Sequence, residues 1–147
     1  MRRFAVCLAL VFVIAPLSSA WAVDTPSPFG APDLSSARAR IKTKDYAGCL
    51  AVLRPLLGST VHADLFNLAG FCFRKTGDQK QAWVYYDKAL ALDPNHLGTL
   101  EYQGELFVET GQLAKARQNE AHLKILCPKG CEELEDLQAA IAKAPKT

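Results

Sequence analysis

Residues 63–96 read A-D-L-F-N-L-A-G-F-C-F-R-K-T-G-D-Q-K-Q-A-W-V-Y-Y-D-K-A-L-A-L-D-P-N-H. Gly70, Phe73, Gly77, Ala82 and Pro94 of this stretch return 34 residues later as Gly104, Phe107, Gly111, Ala116 and Pro128. A fixed period of that size marks a repeat architecture, in which each unit is a supersecondary element that buries its core only against its neighbours. Two helical segments fit in one period. The first ends at Gly77, which takes a left-handed conformation cheaply; the second ends at Asp93-Pro94-Asn95, where proline cannot continue a helix. Gly70 and Ala82 are small enough for two antiparallel helices to approach closely. Phe66, Phe73 and Tyr86 fill the space beside that contact.

Working outward, the spacing predicts seven helices: 33–42, 46–57, 63–76, 79–92, 97–110, 113–126 and 131–143. No segment alternates in the manner of a strand. In the last helix Leu134, Leu137, Ile141 and Ala144 share one face, with Glu132, Glu133, Glu135 and Asp136 on others. Its acidic start suits the positive end of the helix dipole.

The stretch 63–96 resembles the tetratricopeptide repeat. Phe66 stands at the large apolar position, Ala69-Gly70 at the Leu-Gly pair and Phe73 at the following aromatic. Gly77-Asp78 forms the turn, Ala82, Tyr86 and Ala89 the small-large-small triplet, and Asp93-Pro94-Asn95 the exit. The unit 97–130 keeps Leu100, Gly104, Phe107, Gly111, Ala116 and Pro128. It departs at Glu120, where a large apolar residue is expected, and at Leu123, where a small one is. These departures put its close packing in question. The unit 30–62 is more degenerate. It keeps Lys44-Asp45-Tyr46 at the turn, Cys49, Leu53 and Leu56 at the right spacing, and Ala37 in place of the tight glycine, without the exit proline. The resemblance implies an all-α, right-handed helical-hairpin solenoid of about three repeats, 33–147, closed by a capping helix at 131–143.

The first 22 residues read as a secretory leader. Arg2 and Arg3 precede an apolar run broken by Pro16, and Ala20-Trp21-Ala22 offers small residues at the two positions a signal peptidase reads. The run is shorter than the roughly 20 apolar residues that span a bilayer. Cleavage after Ala22 is expected, with periplasmic export and no stable membrane insertion. Residues 23–32, with three prolines, read as an extended arm. Of the 17 Lys and Arg residues two leave with the leader, which balances the 15 Asp and Glu. A neutral mature chain lacks the basic field that drives nucleic-acid binding.

Export makes four cysteines candidates for disulfides. Cys127 and Cys131 flank Pro128-Lys129-Gly130, a tight corner that brings two sulfurs into range and staples the last helix. The other reading is a redox-active or metal-binding pair, with Cys131 activated at a helix start and His122 one turn before Cys127. Cys49 and Cys72 are either free buried thiols or a bond tying the weak first unit to the second, worth roughly 3 kcal/mol by chain entropy.

No G-x-S-x-G, HExxH or phosphate-binding glycine loop is present, so no catalytic residue, metal or cofactor is assigned. His62, His96 and His122 form no pattern on this reading. The resemblance implies a concave face lined by the first helix of each unit. That face takes Arg38 and Lys42 from the first, Asn67, Phe71, Arg74 and Lys75 from the second, and Glu101, Glu105, Val108 and Glu109 from the third. It would be basic at one end and acidic at the other, with Phe71 between, and suits a peptide of another exported or envelope protein. The expected function is a non-enzymatic interaction module or scaffold. A thiol-redox or copper/zinc-handling accessory built on Cys127 and Cys131 is the alternative.

Overall fold

The structure is a computed structural model that describes residues 31–145. The expected leader at 1–22 and most of the arm at 23–32 lie outside the described residues. Seven helices follow one another: α1 (Ser35–Lys42), α2 (Tyr46–Leu57), α3 (Ala63–Lys75), α4 (Gln79–Leu92), α5 (Leu97–Glu109), α6 (Leu113–Leu126) and α7 (Glu132–Ala142). No strand occurs among the described residues, and no helix there is long and apolar enough to cross a membrane.

The predicted boundaries hold to within two residues, because local chemistry fixes them. Asp45 and Asp78 cap α2 and α4, accepting the N–H of Gly48 at 2.8 Å and of Gln81 at 3.0 Å; such caps satisfy donors that have no partner within the helix. Before those caps the chain turns through a left-handed residue, which is Gly77 ahead of α4 and Gly111 ahead of α6. Ahead of α2 the same conformation is forced on Lys44, at φ 60°. A side chain pays a steric cost there that glycine does not.

α1 packs on α2, α3 on α4, and α5 on α6. Each even helix also touches the odd helix that follows it. The odd helices touch in succession, α1 to α3, α3 to α5 and α5 to α7, whereas no even helix touches another. The result is a continuous row of odd helices on one side of the fold.

The core explains the departures at Glu120 and Leu123. A Cβ on Gly70 would stand 2.6 Å from ring carbons of Tyr86, so the α3–α4 hairpin closes by a ring lying on a bare backbone. One period later Gly104 faces no such ring, because Glu120 has replaced it. Leu137 of α7 fills the place instead: a Cβ on Gly104 would stand 2.7 Å from both of its methyl carbons. Glu120, itself buried, accepts from Lys124 Nζ at 2.5 Å and Gln138 Nε2 at 3.2 Å. Those hydrogen bonds, chiefly the one from Lys124, hold its carboxyl below the usual range. Leu123, Leu134, Leu137 and Ile141 are buried in one apolar cluster with Leu100 and Ala116. The third unit is therefore closely packed, with α7 supplying what α6 lacks.

Both cysteine pairs stand at disulfide-bonding distance: the corner pair Cys127–Cys131, as its spacing predicts, and Cys49–Cys72, for which the sequence leaves a bond and free buried thiols both open. Cys49 and Cys72 join α2 to α3 across a Cα separation of 6.4 Å, and both are fully buried. Cys127 and Cys131 close the corner between α6 and α7 at 5.8 Å.

Candidate partner-binding face

The row α1, α3, α5 and α7 carries the residues that the sequence assigns to a binding face. Their surroundings divide them into two sets.

One set is accessible. Arg38 and Lys42 are exposed on α1, and Arg38 Nη2 lies 3.9 Å from Asp64 Oδ1 on α3. Phe71 is half-buried between two rings, Tyr102 at 4.6 Å and Tyr46 at 5.9 Å between centroids. Lys75 is exposed, with its ammonium 5.3 Å from the centroid of Phe71. Glu105 and Val108 are half-buried and Glu109 is exposed. Tyr46, Phe71 and Tyr102 thus form an aromatic line across three helices. Sequence reasoning found only Phe71, because the aromatic is not repeated at a fixed place in the period.

The other set is inside. Arg74 is only 5% exposed. Its Nη1 donates to the Tyr102 carbonyl at 3.0 Å, its Nη2 pairs with Glu105, and Glu109 lies 3.9 Å from Nη1. Its guanidinium also sits 5.7 Å from the Phe71 centroid and 5.8 Å from that of Tyr102. The cation expected at the basic end of the face is spent within the protein, tying α3 to α5. Asn67 is buried at 6% exposure, and its Oδ1 meets no donor. Glu101 is buried at 7% exposure, with no hydrogen bond or ion pair to any described residue.

Burial, reinforced by Glu105 on its own helix and by Asp136 and Glu133 on α7, pushes the Glu101 carboxyl up to about 8 from 4.5. Arg74 on α3 opposes this and is outweighed. The sign of the consequence is fixed. A group protonated in the folded chain and ionised in the unfolded chain favours folding fully below pH 4.5, and that contribution is lost as pH rises towards 8. The melting temperature is expected to fall between pH 5 and pH 8. Glu101→Gln should flatten that slope, as read by thermal melts at five pH values; an unchanged slope would refute the assignment.

Two histidines that looked scattered are in register. His62 and His96 both precede an odd helix, and their Nδ1 atoms accept backbone N–H groups, from Asp64 at 3.2 Å and Thr99 at 3.1 Å. Accepting on Nδ1 leaves the proton on Nε2. In His96 that atom lies 3.0 Å from Asp64 Oδ1, so one ring caps α5 and ties it to the start of α3. Their separation of 34 residues was the available signal. His122 Nε2 lies 3.0 Å from Asn95 Oδ1, which occupies that ring nitrogen with an amide rather than with the Cys127–Cys131 corner.

No protein-family model matches the chain. A stretch of 64 residues is 38% identical to the protein named "Uncharacterized protein ycf37" from Guillardia theta. That stretch is 44% of this chain and 35% of the relative, so the similarity spans about a third of the relative's length.

Proposed function

We propose that this chain is a tetratricopeptide-like interaction module of the bacterial cell envelope. It is exported after removal of 1–22, non-enzymatic, and binds an extended segment of another exported or envelope protein. The observation that carries this reading is the continuous row of odd helices, with Phe71 of α3 against Tyr102 of α5 and Tyr46, at the start of α2, beside Phe71. Stacked hairpins whose first helices touch and whose second helices do not would curve towards the first helices, as in a right-handed solenoid with α7 as its cap. Half-buried rings beside Arg38, Lys42 and Lys75 at one end and carboxylates at the other supply anchors and charge for a peptide.

The alternative, a thiol or metal accessory at Cys127 and Cys131, has in its favour that the pair lies at a corner and is only partly buried. Against it stands the engagement of His122 with Asn95.

Affinity capture with residues 23–147 from an envelope extract tests the first reading. A stoichiometric partner should bind roughly tenfold more weakly to a Phe71→Ala, Lys75→Glu double variant. Binding to Lys80→Glu, altered on exposed α4 surface, should be unchanged. Retention by the first variant with loss in the second would place the interface elsewhere.

A further inference from the structure

Among the described residues three charged side chains are buried: Arg74, Glu101 and Glu120. Arg74 is paired with Glu105, and Glu120 with Lys124. Glu101 has no partner among the described residues. Taking a carboxylate out of water without a compensating donor is costly, and buried charges in native proteins are normally paired. The vacancy has a second marker. Asn67 holds the equivalent place one period earlier, and its Oδ1 is buried without a donor. The two positions adjoin. A Cβ on Gly98, one turn before Glu101, would stand 3.2 Å from Asn67 Nδ2, so the amide reaches α5 on the side where Glu101 lies.

Asn67 Oδ1, buried without a donor, and the Glu101 carboxyl, without a partner among the described residues, lie on adjacent helices of one face and suit a group that donates more than one hydrogen bond. The charge around them gives its sign. Glu105, Glu133 and Asp136 all disfavour ionisation of Glu101, and Arg74, which opposes them, already pairs with Glu105. No three His, Cys, Asp or Glu side chains among the described residues are close enough to hold a metal ion. Phe71 and Tyr102, the latter adjacent to Glu101 in sequence, offer ring faces to an alkyl stem or a guanidinium.

We propose that Glu101, with Asn67, receives a lysine or arginine side chain from an extended peptide crossing α3, α5 and α7. This inference rests on the reading of the odd-helix face as a peptide-binding surface and names the chemistry at its acidic positions. The incoming cation displaces the proton held by Glu101, so binding releases a proton and strengthens as pH rises from 6 to 8. Around the site Arg74 on α3, Glu105 on α5, and Glu133 and Asp136 on α7 set the field in which this occurs.

The test is selection of a displayed random dodecapeptide library on residues 23–147. Enriched peptides are expected to share a lysine or arginine at one fixed position. A synthetic peptide of the enriched sequence should lose roughly tenfold in affinity with Glu101→Gln. Replacing its basic residue by norleucine should cost about the same, with no further loss when both changes are combined. Glu132→Gln, at an exposed site, should have no effect. Glu101→Gln is isosteric and removes a carboxyl whose ionisation burial disfavours, so its melting temperature at pH 7 should equal or exceed the wild type; a sharp drop would mean that Glu101 is engaged internally and would overturn the proposal. Enriched peptides that need Phe71 but share no basic residue would overturn it while leaving the peptide-binding reading in place. Peptides indifferent to Phe71→Ala, or no enrichment, would overturn both.

Discussion

A chain ending at Gly130 should melt far below the full-length protein or aggregate. The truncation removes α7, whose Leu134, Leu137 and Ile141 are 7%, 0% and 8% exposed. Each such anchor contributes roughly 1.5–3 kcal/mol when buried, against about 5–15 kcal/mol for a whole domain. The loss is more than a terminal face. Leu137 occupies the space over Gly104 that an aromatic fills in the preceding hairpin, so its removal opens a void inside the third unit. Glu120 loses Gln138 and gains a route to water beside Leu123. Thermal unfolding followed by circular dichroism, with sedimentation to detect aggregation, measures the effect. A truncated chain with the full melting temperature and monomeric behaviour would show that α7 is not a cap but a free segment, with Glu132 to Asp136 as a separate interaction site.

Arg74→Ala should destabilise by about 3–5 kcal/mol, the usual result of removing one member of a buried ion pair. The Tyr102 carbonyl would lose its donor and Glu105 its counter-charge, and the cations facing Glu101 would fall further. Glu105→Gln should cost less, since Glu105 is more accessible than Arg74 and its amide keeps an acceptor for the guanidinium. Urea denaturation midpoints distinguish the two. A loss at Arg74→Ala below about 1 kcal/mol would class the pair with ordinary surface ion pairs. The same burial disqualifies Arg74 as a site for charge-reversal tests of partner binding, because a variant there would fail by unfolding.

Helix positions were legible because caps, turns and the exit prolines are local signals, and all seven helices form within two residues of the expected bounds. Long-range substitution was not. Glu120 read as a flaw in its own hairpin, and nothing in residues 113–126 announces that Leu137 replaces the missing ring. The binding-face residues were legible as a set of positions on the odd helices, but not as exposed or buried. Arg74 and Lys75 are neighbours in sequence, yet one points between α3 and α5 and the other to solvent. Helical phase separates them by about 100°, and only the location of α5 decides which phase is interior. In sequence Glu101 is indistinguishable from Glu105 and Glu109 as part of one acidic end, although its burial and its lack of a partner among the described residues set it apart. The two capping histidines were within reach of the period itself, had it been applied to polar residues as well as to glycines and aromatics.

The two cysteine pairs lie towards opposite ends of the fold, one between α2 and α3, the other between α6 and α7. Among the described residues no disulfide crosses from α4 to α5. The joint between α4 and α5 therefore rests on noncovalent contacts, unlike the α2–α3 and α6–α7 joints. The elements bridging that joint along the odd-helix row are the Arg74–Glu105 pair, the Phe71–Tyr102 contact and the His96–Asp64 link. Their stiffness sets the curvature of the surface across that joint. A peptide laid across the row would act as a brace on the same joint, so occupancy and the angle at the joint are mechanically coupled.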